Sequence, residues 1–163
     1  MSQKVLFFGT GKMAEVISYY AENECGFEAV GYVVDDGFVG SGDFLGKPVV
    51  AISAVKEFFP PEQFPAFVAI GYHDLNRLRA QKCAEMLSLG YTLTSIVSPV
   101  ANLPQNVTYG ANCFIMPPAI IHPCVSLGNN VFVWSGALVG HHSTVGDHCW
   151  LTSGCSVGGN VTL

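Results

Sequence analysis

Two adjacent histidines, His141 and His142, stand in the run Gly140-His141-His142-Ser143 and are the first candidates for chemistry. An unperturbed imidazole, with a pKa of about 6.5, can take a proton from an amine or a hydroxyl group near neutral pH. We therefore expect a catalytic role for this pair, with His141 as the general base. The alternative is that both histidines are exposed polar residues of a turn.

A glycine-rich run near the start of the chain is the second candidate, and it reads Gly9-Thr10-Gly11-Lys12-Met13-Ala14. Its glycines fit a loop in which the backbone approaches a phosphate that faces a helix N-terminus. Asp35, Asp36 and Gly37 follow the next predicted strand, where a carboxylate commonly binds ribose hydroxyls. The alternative is that the glycines only form a tight turn.

A third group of candidates follows the third predicted strand. Gly71 closes that strand, and Arg77 in the next helix would bring a basic group near the same sheet edge. A solvated charge at the start of a helix explains Arg77 as well. Because the domain is too short to hold a complete dinucleotide, these loops together predict a site for a single nucleoside diphosphate.

The elements that carry these loops alternate between strand and helix. The sequence predicts strands over 4–9, 28–34, 66–70 and 91–97, and helices over 12–23 and from Asp74, as N-cap, to just before Gly90. Ser53 is predicted to cap a short helix that ends at Phe59. This order predicts a small parallel, Rossmann-like α/β domain over residues 1–96.

Residues 97–163 follow a different rule, because a large apolar residue stands on every sixth position. The positions are Val97, Leu103, Tyr109, Ile115, Ile121, Leu127, Val133, Val139, Val145, Leu151, Val157 and Leu163. A small or slim residue stands four positions after each, as at Cys113, Ala137 and Ser143. This hexapeptide repeat predicts a parallel β-helix of three faces and about eighteen residues per coil. Glycines one position after the sixfold residue are expected to supply unusual turn angles.

The coil length assigns neighbours to His141. One coil places it above Pro123 and below Gly159, and the missing side chain at Gly159 leaves room for a ligand beside the imidazole. A backbone N–H there could stabilise an oxyanion, so the requirements for acyl transfer from a thioester are met. A metal site of His141, His142 and His148 is disfavoured because His142 and His148 lie on different faces of one coil.

Composition narrows the function further. The chain has 163 residues, 50% of them hydrophobic, and all seven Lys and Arg residues precede Cys83. Beyond Glu85 the only formally charged side chain is Asp147, so nucleic-acid binding is excluded and an exterior covered by copies of the same chain is expected. No segment predicts a membrane span or a signal peptide, so a cytoplasmic protein with reduced cysteines is expected.

These motifs together resemble the bacterial hexapeptide-repeat sugar acyltransferases, a group that includes sialic acid O-acetyltransferase and the N-acetyltransferase of the UDP-bacillosamine pathway. The resemblance covers the whole chain and implies a left-handed β-helix in a homotrimer that binds acetyl-CoA and a nucleotide-linked sugar, without a metal. It matches His141 to the family's general base and Gly159 to the backbone N–H that meets the acetyl carbonyl. The Gly9 to Lys12 loop with Asp35, Asp36 and Gly37 would hold the sugar nucleotide. Transfer to an amino group is favoured over transfer to a hydroxyl by resemblance only.

Some positions depart from the family's pattern. His142 stands where the family often has Asp or Glu, Trp134 replaces an Asn of some members, and Lys12-Met13-Ala14 replaces a Gly-His-Gly run. The chain also stops early in a hexad and lacks cations in its coils, so we expect a truncated form with weak acetyl-CoA binding. A catalytically silent, sugar-nucleotide-binding or scaffolding trimer is the alternative function.

Overall fold

A computed structural model describes residues 2–101 and 103–163. The chain forms two compact units, Met1–Thr94 and Ser95–Leu163. Among the described residues, no helix combines the length and apolar character that crossing a bilayer would require.

The described residues of the first unit form five strands and three α-helices. In chain order they are β1 Gln3–Phe8, α1 Lys12–Asn23, β2 Phe27–Val34, β3 Asp43–Phe44, β4 Lys47–Ala51, α2 Val55–Phe58, β5 Ala66–Val68 and α3 Arg77–Ser88. The sheet order is β3-β4-β2-β1-β5, and all pairs are parallel except β3 with β4. The central strands are buried along most of their length, as their continuous apolar runs predict for a parallel sheet.

Several local predictions for this unit were wrong. The β3–β4 hairpin was missed, because its strands are short and carry no apolar alternation. Ser53 makes no helix cap; its N–H donates to Asp36 Oδ1 at 3.1 Å, and α2 begins later, at Val55. Asp74 lies in a 3-10 turn, and Asn76, in the left-handed region, is the N-cap of α3.

The strand predicted over 91–97 is also shorter in the structure. Leu93 forms only an isolated bridge to Ala66 of the first sheet. Ile96–Val97 forms β6, which lies in the second unit and pairs there with Phe114–Ile115. Residues of the predicted strand 91–97 therefore pair with two different sheets.

The second unit consists of coils whose strands are two residues long. After β6 they are β7 Thr108–Tyr109, β8 Phe114–Ile115, β9 Ile120–Ile121, β10 Ser126–Leu127, β11 Phe132–Val133, β12 Leu138–Val139, β13 Thr144–Val145, β14 Trp150–Leu151 and β15 Ser156–Val157. They form three parallel sheets, ordered β13-β10-β7, β14-β11-β8-β6 and β15-β12-β9. Leu138 pairs with Ser156, as expected for eighteen-residue coils. The predicted parallel β-helix is confirmed.

The sixfold residues and their small partners form the bore of the coils. Ile115, Val133, Val139 and Val145 are fully buried, and Cys149 and Cys155 pack against the same core. All six cysteines are free thiols. Tyr109 was predicted to face inward but is 45% exposed, because β7 is the first strand of its sheet and no earlier coil covers it.

The glycines that follow the sixfold positions act differently from the prediction. Gly110, Gly128 and Gly140 do not adopt positive φ; they lie where the next coil's backbone comes close, and a Cβ at Gly140 would be 2.5 Å from the Gly159 nitrogen. Positive φ occurs two positions later in the hexad, at Asn112, Cys124, Asn130, Gly136, His142, His148, Gly154 and Asn160. Gly110, Gly128 and Gly140 are thus required by close packing and not by turn angles, whereas a Cβ at Gly158 would meet only Val161 Cγ2 at 3.7 Å.

Candidate functional site

The glycine loop joins β1 to α1. Gly9 has φ of 112°, and a Cβ there would be 3.1 Å from the carbonyl oxygen of Ala69, so only glycine fits without strain. Gly11 is the N-cap of α1, and no side chain caps its first turn. The backbone N–H groups at the start of this helix therefore stay available for an anion.

A cleft of about 230 Å³ lies at the carboxyl ends of β1 and β2. Its lining residues are Phe8, Gly9, Thr10, Val34, Asp35, Phe38 and Ile70. The structure thus brings together three of the predicted substrate residues, Gly9, Thr10 and Asp35. Gly11, Lys12, Asp36, Gly37, Gly71 and Arg77 are not part of its lining.

The two aspartates after β2 have different surroundings. Asp35 lines the cleft and forms an ion pair with Lys82 of α3. Asp36 accepts the Ser53 N–H and so fixes the turn before α2. The sequence predicted that both aspartates bind the substrate, with Asp36 the more important, whereas in the structure Asp35 lines the cleft and Asp36 accepts a backbone hydrogen bond.

Arg77 has little connection to the cleft. Its guanidinium lies 3.7 Å from the Asp74 carboxylate, and its side chain is 74% exposed. An exposed pair of this kind contributes little to stability. The interpretation of Arg77 as a solvated residue at the start of α3 therefore fits better than a binding role.

Lys82 is the residue that sequence reasoning missed. It is buried, and its ammonium donates to Asp35 Oδ1 and to Glu85 Oε2, the second at 2.8 Å. Burial alone would lower the pKa of Lys82, but the two carboxylates outweigh burial and the pKa is raised. No sequence motif marked this residue, because its partner Asp35 is far away along the chain.

In the coils, the structure places His141 directly against Gly159. A Cβ added at Gly159 would lie 2.7 Å from His141 Nε2, so the imidazole occupies the space that a side chain there would fill. Backbone hydrogen bonds support the same arrangement of the coils. Asn160 N donates to the His141 carbonyl, and His142 N donates to the Pro123 carbonyl. The predicted neighbours of His141, Pro123 and Gly159, are therefore found.

His142 turns its ring toward His141. The two Nδ1 atoms are 3.2 Å apart, and the ring planes meet at 82°. An Nδ1–Nδ1 hydrogen bond holds one proton, so one ring donates and the other accepts. When His141 donates, its Nε2 carries a lone pair and can act as a base.

Ser143 hydrogen-bonds through its hydroxyl to the backbone on both sides of Gly159. Its side chain is fully buried, and its hydroxyl donates to the Gly158 carbonyl at 2.8 Å. The same oxygen accepts the Val161 N–H at 3.1 Å. These two bonds fix the turn that faces the His141 imidazole. Within the part of the chain that the structure describes, the Gly159 N–H has no acceptor.

His148 belongs to a different corner of the coils. Its Nδ1 lies 2.9 Å from Asn130 Nδ2, and Asn130 in turn accepts a hydrogen bond from Asn112. The described residues contain no group of three or more His, Cys, Asp or Glu that could hold a metal ion. Trp134 packs against the rings of Phe114 and Trp150, in an aromatic cluster on the coils.

Solved structures with the same architecture come from three bacteria. The acetyltransferase domain of PglB from Neisseria gonorrhoeae FA1090 is 24% identical, with a TM-score of 0.67 over 99% of this chain and 88% of that one. PerB from Caulobacter crescentus, solved with CoA and GDP-perosamine, is 21% identical, with a TM-score of 0.70 over 98% of this chain and 84% of that one. WeeI from Acinetobacter baumannii AYE is 14% identical, with a TM-score of 0.53 over 99% of this chain and 96% of that one.

This chain has their fold. The resemblance to sugar acyltransferases drawn from the sequence is thus confirmed at the level of architecture, since the similar structures include a named acetyltransferase domain. No protein-family model matches the sequence, and no curated protein matches it significantly.

Proposed function

We propose that this protein is an acyltransferase that moves the acetyl group of acetyl-CoA to the amino group of a nucleotide-linked sugar. The observation that carries the proposal is the His141 imidazole lying over Gly159, a base beside a backbone N–H with no side chain between them. The fold supports it, because PerB has the same fold and was solved with CoA and GDP-perosamine.

The chemistry requires one base and one oxyanion donor. His141 Nε2 removes a proton from the sugar amine as its nitrogen attacks the thioester carbonyl, and a C–N bond forms. The carbonyl oxygen becomes an oxyanion, which the Gly159 N–H stabilises. The intermediate then collapses, the C–S bond breaks, and protonated His141 gives its proton to the departing CoA thiolate, which regenerates the base. The products are the acetylated amine and free CoA thiol.

His142 decides whether His141 can serve as the base. In the active arrangement His141 Nδ1–H donates to His142 Nδ1, which leaves Nε2 of His141 unprotonated toward Gly159. In the opposite arrangement His142 donates, and His141 carries its proton on Nε2. His142 is therefore a positioning residue in this mechanism.

The first unit would bind the nucleotide part of the substrate. The uncapped N-terminus of α1 offers N–H groups to the diphosphate, and Asp35 in the cleft offers oxygens to the ribose. The Rossmann-like character of this unit, the left-handed winding of the coils, a homotrimer and a cytoplasmic location are further parts of the proposal. Light scattering tests the trimer, since a stable monomer at micromolar concentration would contradict it.

A panel of nucleotide-linked amino sugars and hydroxyl sugars, each mixed with acetyl-CoA, tests the function directly. Release of free CoA thiol with an amino sugar is the expected result, and mass spectrometry should show an added acetyl group on the sugar. Release only with hydroxyl acceptors would shift the proposal to O-acetylation. Binding of nucleotide sugar without turnover of any acceptor would favour the silent scaffolding trimer.

A further inference from the structure

Lys82 contacts residues that line the cleft of the first unit. Its side chain is only 8% exposed, and its ammonium contacts Asp35 and Glu85 while lying 5.3 Å from the centre of the Phe8 ring. Two of these three partners, Phe8 and Asp35, line the cleft. The lysine itself is not among the lining residues, so it acts on the cleft through them.

A buried ammonium is unfavourable unless carboxylates compensate for the lost water. Arg77, also on α3, stays in solvent, whereas the Lys82 side chain is buried and meets Asp35. Lys82 binds Oδ1 of Asp35, yet the Asp35 side chain stays 42% exposed and lines the cleft. A carboxylate held at one oxygen by a buried ammonium has less freedom to turn within the cleft.

The charge of Lys82 also matters for a diphosphate. Asp35 and Asp36 both follow β2, and a nucleoside diphosphate would add further negative charge to the same sheet edge. The positive charge of Lys82 offsets the negative charge of Asp35, and because the ion pair is partly buried, solvent screens this interaction less than it would at the surface. Without this balance the carboxylate would repel the phosphates as it binds the ribose.

We propose that Lys82 is a positioning residue for nucleotide binding, which orients Asp35 toward the ribose hydroxyls and offsets its charge toward the diphosphate. This inference rests on the proposed nucleotide site of the first unit. Lys82 would then influence the affinity for the nucleotide without contacting the nucleotide itself.

Calorimetry with UDP, TDP and GDP on the full chain tests this role. Lys82→Met should weaken the tightest of the three at least about tenfold, since a charged hydrogen bond and an orienting contact are lost. Lys82→Arg keeps the charge and should stay within about threefold of wild type. Lys56→Met removes an exposed lysine of α2 and serves as the matched control, with unchanged affinity expected.

A double-mutant cycle separates positioning from simple packing. In an Asp35→Asn background, Lys82→Met should cost less than about threefold, because the lysine then has no carboxylate of the cleft to orient, although Glu85 remains beside it. In the active enzyme, the same change should raise KM for the nucleotide sugar while kcat stays within about twofold. Should Lys82→Met fail to fold, Lys82→Gln keeps a donor without the charge, and a loss of at least about fivefold is expected.

The outcomes are distinct from those of the proposed function. If wild type binds a diphosphate and Lys82→Met binds it equally well, only the proposed role of Lys82 is overturned. If Lys82→Met lowers the melting temperature without weakening binding, the Lys82–Asp35 pair has only a structural role. If no diphosphate binds wild type, the nucleotide site and this inference both fall. An equal cost of Lys82→Met with and without Asp35→Asn would also overturn it.

Discussion

In the coil unit, side chains that meet across coils are 18 positions apart, as in the Asn112–Asn130 hydrogen bond. In the first unit, Lys82 and Asp35 meet although 47 positions separate them. A repeating coil turns sequence spacing directly into contact, whereas an α/β sheet brings residues together through packing that no spacing encodes. Candidate residues are therefore easier to predict in the coils than in the cleft.

The strongest test of the coil assignment is loss of the base. His141→Ala should lower turnover about 10²- to 10⁴-fold, the usual contribution of a positioned general base. Nucleotide binding, measured by calorimetry, should stay unchanged because the predicted cleft belongs to the other unit. Turnover equal to wild type would remove His141 from the mechanism.

The next test changes the surface that faces the imidazole. Gly159→Ala would place a Cβ 2.7 Å from His141 Nε2, so the ring must move, and turnover should fall about 10- to 100-fold. Gly158→Ala is the matched control, because the nearest atom to its Cβ would be Val161 Cγ2 at 3.7 Å. Similar turnover in both variants would show that Gly159 has no special role beside His141.

The cleft can be tested by comparing Asp35, which lines it, with Asp36, which does not. UDP or TDP should raise the melting temperature of wild type, since a ligand that binds only the folded state stabilises it, and NAD should do so weakly. Asp35→Ala should weaken nucleotide binding about tenfold, because the carboxylate lines the cleft. Asp36→Ala should lower stability through the lost bond to Ser53 N but retain more of the shift. A larger shift with NAD would favour a dinucleotide site instead.

The smallest expected effect concerns the orientation of the base. His142→Ala should lower turnover about 3- to 10-fold, because the Nδ1 partner of His141 is lost. His142→Glu should equal or exceed wild type by up to about fivefold, since a carboxylate only accepts and so favours the active tautomer. Nitrogen NMR of the imidazoles should show His141 protonated at Nδ1 in wild type and in His142→Glu, and a mixture of tautomers in His142→Ala. A greater loss in His142→Ala than in His141→Ala would assign the base to His142.

The residues themselves show where sequence reasoning succeeds. The sixfold pattern predicted the bore, the strand register and the placement of His141 between Pro123 and Gly159, because each coil repeats the same backbone path. The N-terminal helix α1 was predicted with its observed bounds, Lys12–Asn23, since a glycine turn precedes it and an apolar face runs along it. The β3–β4 hairpin carried no such signal.

Sequence alone thus determined the repeat, the alternation of strands and helices in the first unit and the identity of the candidate base, because these depend on residues close in the chain or at a fixed period. Only the tertiary structure separated Asp35 from Asp36, revealed Lys82 and set His142 against His141. It also moved the positive-φ turns from the predicted glycines to positions such as His142 and Asn160. These features depend on which groups compete for burial and hydrogen bonds, and that competition is decided when distant segments pack together.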